Sequence, residues 1–296
     1  MAWLRRASLV LVLLVTSMAR PAFAQTAEYR PEFRPFGVWD YVGTALVSGA
    51  YYTVELTQEG PRGADWTKPL PLDRPVRNWL VADSAEARDQ AHTLSDVFWY
   101  SSVAYPVADA IVTPAIRTRG AYVSWQMTMM NLQAFMTISL LVRMPHKWIG
   151  RTRPDALGCA KDPKYSRHCG GTGLFVSFPG GHVGVSMTGA GLSCAHHLHG
   201  QLYGSKLADG VACGGALTAA AMVGYFRMRA DAHWFSDQMT GVALGLFSGY
   251  VLPTVLYYHP FWRSPAKPRA ASSGRRWTVS PLLDDRTLGA SLIWLD

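Results

Sequence analysis

The sequence predicts an all-α protein: a bundle of about six core helices, partly or wholly membrane-embedded, with a short C-terminal β-hairpin tail. Three observations carry that prediction. Residues 121–142 and 238–258 contain no acidic or basic side chain, and each is close to the ~20 residues that cross a bilayer. Charged residues make up 16% of the chain and hydrophobic ones 49%, against a usual charged share of about 25%. Almost no stretch before residue 276 alternates in the manner of a strand.

Taken in order, residues 1–24 have the layout of a secretory signal peptide. Arg5 and Arg6 make a basic start, an apolar run follows, and small residues precede Gln25. An uncleaved membrane anchor is the rival reading. Either one engages an export pathway and argues against a cytosolic role. A single helical domain is expected over 25–262, with helices near 37–56, 96–116, 121–144, 182–199, 208–228 and 234–258. The first carries Asp40 and Glu55 near its ends and the second has Asp109 inside, so these two fit a soluble bundle equally well. The fifth is slightly short for a span but rich in small residues that allow close helix packing.

Three irregular regions interrupt the pattern. Residues 57–95 combine mixed charge with several prolines, as a surface loop with room for a short helix would. Residues 151–181 form a long connection without periodicity, a kind that is usually functional or disordered. Residues 263–296 begin as a flexible basic linker and end in a predicted hairpin turning near 284–286.

Loss of residues 1–24 removes Arg5, Arg6 and Arg20 and no acid, taking the formal charge from +8 to +5. That mild excess favours anionic partners. No run resembles a nucleic-acid module, and nucleic acid is set aside. Four cysteines remain, and no CxxC pair points to zinc. Cys159 and Cys169 can bridge in an oxidising compartment, closing a short loop worth about 2–3 kcal/mol. Cys194 and Cys213 lie in successive helical segments and read equally as a bridge or as buried thiols.

The chemistry concentrates in three stretches. Arg227, His233 and Asp237 lie in the seam between two apolar runs, where charge is costly without a partner or a task. Positions i and i+4 share a helix face, so Asp237 is expected to accept the His233 ring N–H and fix its tautomer. Lys147, Arg151 and Arg153 follow the third helix, as a solvated helix end or as a phosphate grip. The run "SFPGGHVGVS" opens the fourth helix, where free N–H groups and absent Cβ atoms make an anion cradle beside His182.

In order, Arg153-Pro154, Pro179-Gly180-Gly181-His182 and Arg227-x5-His233-x3-Asp237 resemble the three signature motifs of the type 2 phosphatidic acid phosphatase superfamily. That family also includes bacterial acid phosphatases and vanadium haloperoxidases. The likeness covers about residues 90–258. It implies a phosphoric monoester hydrolase without a metal or other cofactor, in which His233 attacks phosphorus and Asp237 orients it. It implies further that His182 protonates the leaving alkoxide and that Arg153, Arg227 and the amides near Gly180 and Gly181 hold the phosphoryl oxygens. His182, His233, Arg153 and Arg227 should then converge on one anion position.

Departures from the family pattern bear on phosphate binding. Where the family has a lysine seven positions before the first-motif arginine, this chain has His146, and Lys147 is rotated by ~100° from that direction. The expected serine between Pro179 and Gly181 is Gly180, and the one before Arg227 is Phe226. Lys147 stays a candidate substrate-binding residue through its flexible stem. The cluster His196, His197 and His199 invites a metal, but it begins about 21 Å along the helix from His182 at ~1.5 Å per residue. Metal ligands there would have to come from elsewhere. His92, His168 and His259 read as surface or loop residues, and Trp148 and Trp234 as packing.

The resemblance implies a phosphorylated lipid or a small phosphomonoester as partner, at the inner membrane with a periplasm-facing site or in the periplasm. Alternatives are a soluble broad-range acid phosphatase, a lipid phosphotransferase, and a catalytically degenerate lipid-phosphate binder. Six spans after a cleaved signal would leave the first-motif loop cytoplasmic. A periplasmic site therefore requires that some helices do not span, that the bundle is soluble, or that the N-terminal segment does not enter the membrane.

Overall fold

The computed structural model describes residues 33–118, 121–259, 276–284 and 287–295. The predicted signal segment and basic linker lie outside these residues. Among the described residues the protein is a helical bundle: α1 (Val38–Thr57), α2 (Asp73–Leu80), α3 (Ala85–Thr118), α4 (Ala121–Trp148), α5 (Ala156–Cys159), α6 (Gly181–Gly200), α7 (Lys206–Arg229) and α8 (Phe235–Leu246). Two π-turns, Phe247–Val251 and Thr254–Tyr258, continue α8. Pro253, which has no N–H to give, lies between them.

That makes eight helices where about six core helices were expected. α2 and α5 are short and fall inside the two regions read as connections. α3 begins eleven residues before its expected start. Its first turns, "AEARDQAH", are too polar to show an apolar stripe, yet the Ser84 hydroxyl accepts from the Ala87 amide at 3.1 Å and caps them. The strands Arg276–Asp284 and Thr287–Leu295 pair antiparallel, Arg276 opposite Leu295 and Asp284 opposite Thr287. The turn between them lies outside the described residues.

α6 is the axis of the bundle. Fourteen of its 20 residues are buried, and it packs against α3, α4, α7 and α8. Small residues let backbones touch here. A Cβ on Gly241 would strike the Gly180 carbonyl oxygen, and one on Gly245 the Gly184 carbonyl oxygen, so α8 lies directly on α6. Both cysteine pairs are disulfides: Cys159–Cys169 closes the connection after α5, and Cys194–Cys213 ties α6 to α7. The alternative of buried thiols for the second pair therefore falls away.

The long helices alternate in direction. The C-terminal ends of α1, α4 and α7 and the N-terminal ends of α3, α6 and α8 gather at one end of the bundle. Among the described residues two helices are long and apolar enough to cross a membrane, Lys206–Arg229 and Phe235–Tyr258, and only 22% and 28% of their apolar windows are buried. Leu207, Val211, Phe247, Val251 and Val255 stand exposed on them.

Candidate active site

His233 lies in the tight connection between α7 and α8. Its ring is buried and held at both nitrogens. Nδ1–H donates to the Ser177 carbonyl at 2.7 Å, and Arg153 Nη1 donates to Nε2 at 3.0 Å. The Nε2 lone pair therefore faces a guanidinium. Burial, then Arg153 and Arg227, pushes the ring's pKa well below the usual histidine range, so His233 is neutral at physiological pH. Arg153 is itself fixed by backbone carbonyls: Nε donates to Gly173 at 2.7 Å, Nη1 to Ala232 at 2.5 Å and Nη2 to Val176 at 3.1 Å. The long connection 151–181 is thus the scaffold that aims this arginine.

Arg227 and His182 meet through a residue that the sequence reading passed over. Arg227 Nη2 donates to Asp96 Oδ1 in a short ion pair, and His182 Nε2 is 3.9 Å from the same oxygen. Arg227 Nη1 also donates to His92 Nδ1 at 3.1 Å, and Arg167 Nη2 donates to that nitrogen at 2.8 Å. With Nδ1 accepting twice, the His92 proton sits on Nε2, a buried atom without a partner. Burial and the neighbouring arginines push His92 down to about 2 and His182 down to about 2. The His182 ring leans on Trp99, centroids 5.3 Å apart.

Asp237 corrects one expectation. Its Oδ2 stands 3.9 Å from His233 Nδ1, too far for a hydrogen bond. Instead it accepts from Ser177 Oγ at 2.6 Å and the Trp234 amide at 2.9 Å, while Oδ1 accepts from Arg151 in a short ion pair. Arg151 is fully buried, donates onward to Asp73 at 2.7 Å and lies 3.8 Å over the Trp66 ring. Asp237 therefore fixes Ser177, whose carbonyl fixes His233. The i+4 spacing brought the pair close, but Arg151 competes for the carboxylate.

Three substrate-binding expectations also change. Lys147 Nζ donates to the Gln58 carbonyl at 2.6 Å and the Glu55 carbonyl at 3.2 Å; the C-terminus of α1 holds it away from the cluster. His146, one residue earlier, is the side chain at the second motif, where Nε2–H donates to the Pro179 carbonyl at 2.9 Å. The Gly180 amide is already committed to the Asp237 carbonyl at 2.9 Å. The first-turn amides of α6, from Gly181 onward, are left as the backbone donors on this side. At Gly181 a Cβ would come within 3.1 Å of Val142 and 3.3 Å of His146.

Of the histidines read as surface or loop groups, His92 is not so, being 3% exposed on α3; His168 does lie in a loop, where it donates to buried Asp155 at 2.7 Å, and His259 is exposed. At the far end of α6, His196 bonds Tyr258 and Asn131, and His197 bridges Asp209 and Asp109. Trp234 packs as expected, its indole N–H donating to the Thr152 carbonyl at 2.7 Å, while Trp148 is exposed.

Three guanidiniums, three buried or half-buried imidazoles and one carboxylate gather at this end of the helical bundle. Residues 126–261 match the family model of the PAP2 superfamily, which supports the resemblance to the type 2 phosphatidic acid phosphatase superfamily. The family points to phosphatase activity on phosphate esters. No curated protein and no solved structure matches the chain.

Proposed function

We propose that the protein is a metal-independent phosphatase that hydrolyses phosphate monoesters or pyrophosphates through a phosphohistidine at His233, with lipid phosphates as substrates. The observation that carries this reading is the setting of His233: Nδ1–H is tied to a backbone carbonyl, and the Nε2 lone pair is turned toward Arg153. A neutral imidazole becomes a nucleophile once Arg153 turns its donors from the Nε2 lone pair to the phosphate oxygens. Arg153 and Arg227 supply positive charge to the equatorial oxygens, the main requirement of phosphoryl transfer.

Nε2 attacks phosphorus, the P–O ester bond breaks, and the leaving alkoxide takes its proton from His182. Water then attacks the phosphohistidine, His182 takes a proton from it, and phosphate leaves as His233 becomes neutral again. Burial, then Arg227 and Arg153, holds His182 unprotonated. A phosphate dianion offsets the arginines' share of that shift and brings the imidazolium closer to reach.

The lipid part of the reading follows from where His233 sits. Residues 230–234 join the two apolar helices, so the cluster lies at the level of their ends, where lipid phosphates lie. The exposed apolar side chains along both helices call for a lipid or protein cover. We place the chain in the inner membrane with the site toward the periplasm, which, with the long helices alternating in direction, requires the start of α1 to lie on the cytoplasmic side. Osmotic shock separates this from a soluble periplasmic enzyme: active protein should stay with membranes, and its release would exclude embedding.

The activity test is phosphate release in chelator from phosphatidic acid, an isoprenoid diphosphate and a soluble monoester, for wild type and His233→Ala. Release lost in the variant supports the enzyme. Equal release, or none from either protein, would favour a binding role.

A further inference from the structure

Asp96 occupies the place that the phosphate reading assigns to the ligand. Oδ1 takes the short ion pair from Arg227 and lies 3.9 Å from His182 Nε2, and Oδ2 lies 3.9 Å from Arg167 Nη2. Its side chain is 35% exposed and that of Arg167 47%, so this carboxylate faces the open side of the cluster while Arg227 lies beneath it. A negative charge here helps only the protonation of His182, and it repels an incoming phosphate.

We propose that Asp96 is a specificity-determining residue: it fills the empty anion seat and admits only ligands that carry two negative charges. The inference rests on the phosphatase reading of the cluster. A singly charged group, such as a phosphodiester or a sulfate monoester, would replace one unit of charge on Arg227 with another. It would also sit against the displaced carboxylate. Such an exchange gains nothing. A terminal phosphate dianion brings a second charge, which Arg153, Arg167 and Arg227 are placed to receive. Displaced Asp96 remains within reach of Arg167, so the exchange leaves no buried charge alone. Discrimination thus comes from a built-in competitor as much as from the contacts made to the correct ligand.

The test compares full-length wild type with Asp96→Asn, using inorganic phosphate, phenyl sulfate and dimethyl phosphate as inhibitors of p-nitrophenyl phosphate hydrolysis. Calorimetric binding of phosphate to both proteins reads affinity even where turnover is lost, and Asp96→Ser is the second variant. In wild type, phosphate should inhibit and the two monoanions should not. In Asp96→Asn, phosphate should bind at least about tenfold tighter and both monoanions should now inhibit. If wild type hydrolyses the ester while both variants bind phosphate no more tightly, Asp96 merely props Arg227 and the inference fails alone. If no protein binds phosphate or hydrolyses the ester, the phosphatase reading fails and takes the inference with it.

Discussion

Arg153 Nη1 lies 3.0 Å from His233 Nε2, and the same guanidinium is pinned to the carbonyls of Gly173, Val176 and Ala232. The proposed nucleophile and the guanidinium proposed to clamp phosphate are therefore held as one unit. Arg153→Lys keeps the charge but loses the planar fork that reaches three carbonyls and the ring. Its kcat for phosphate-ester hydrolysis should fall by about 10²–10³, the loss typical of removing one transition-state donor. Steady-state kinetics with the purified variant checks this.

Arg151 behaves differently from its neighbour two residues on. It is buried between Asp73 and Asp237, and removing it leaves two carboxylates without their cation. Arg151→Met should destabilise the fold by about 3–5 kcal/mol, read as a lowered denaturant midpoint. Arg153→Lys, beside the open cluster, should shift that midpoint far less.

Lys147 supplies a negative control. Its ammonium is held by carbonyls at the end of α1, so Lys147→Ala should change KM for a small phosphomonoester by less than about threefold, as a lost surface-level interaction does. A tenfold rise would show that the lysine swings into the site.

His92 makes stability depend on pH. Burial, with Arg167 and Arg227 alongside, lowers it to about 2 in the folded protein, and unfolding returns it to about 6.5. Between those values the unfolded chain binds a proton that the folded chain refuses. The contribution is intact above about pH 6.5 and is lost as pH falls, by about 1.4 kcal/mol per unit. His92→Gln keeps an acceptor for the arginines and should flatten the slope between pH 6.5 and 4 by one proton's worth. Denaturant titrations across that range measure it.

What the sequence revealed follows from how far each relationship reaches along the chain. Arg227 and His233 stood out because charge in a seam between apolar runs is costly, Arg153 as one of several cations after a helix and His182 beside a glycine turn at a helix start; the structure brings Arg153 to His233 and Arg227 to His182 through Asp96. Asp96 itself enters an apolar helix by the same rule and was open to the same argument. Its partner Arg227 lies 131 residues away, however, and no local spacing joins them. His92 and Arg167, 75 residues apart, were hidden for that reason too. Asp237 shows the limit of short-range reasoning: the i+4 rule places it near His233, but only the fold reveals that Arg151 and Ser177 take its oxygens. The helical bundle was legible from long apolar runs, and the early start of α3 was not, because its first turns are too polar to show an apolar stripe.

The central claim is that His233 Nε2 becomes phosphorylated during turnover. Rapid mixing with a labelled phosphate monoester, quenching in base and mapping the modified peptide tests it most directly, since a phosphoramidate survives alkali and is lost in acid. The account predicts an alkali-stable, acid-labile label on the peptide containing His233, absent in His233→Ala. Turnover with no label at any quench time, or a label on another residue, would contradict it.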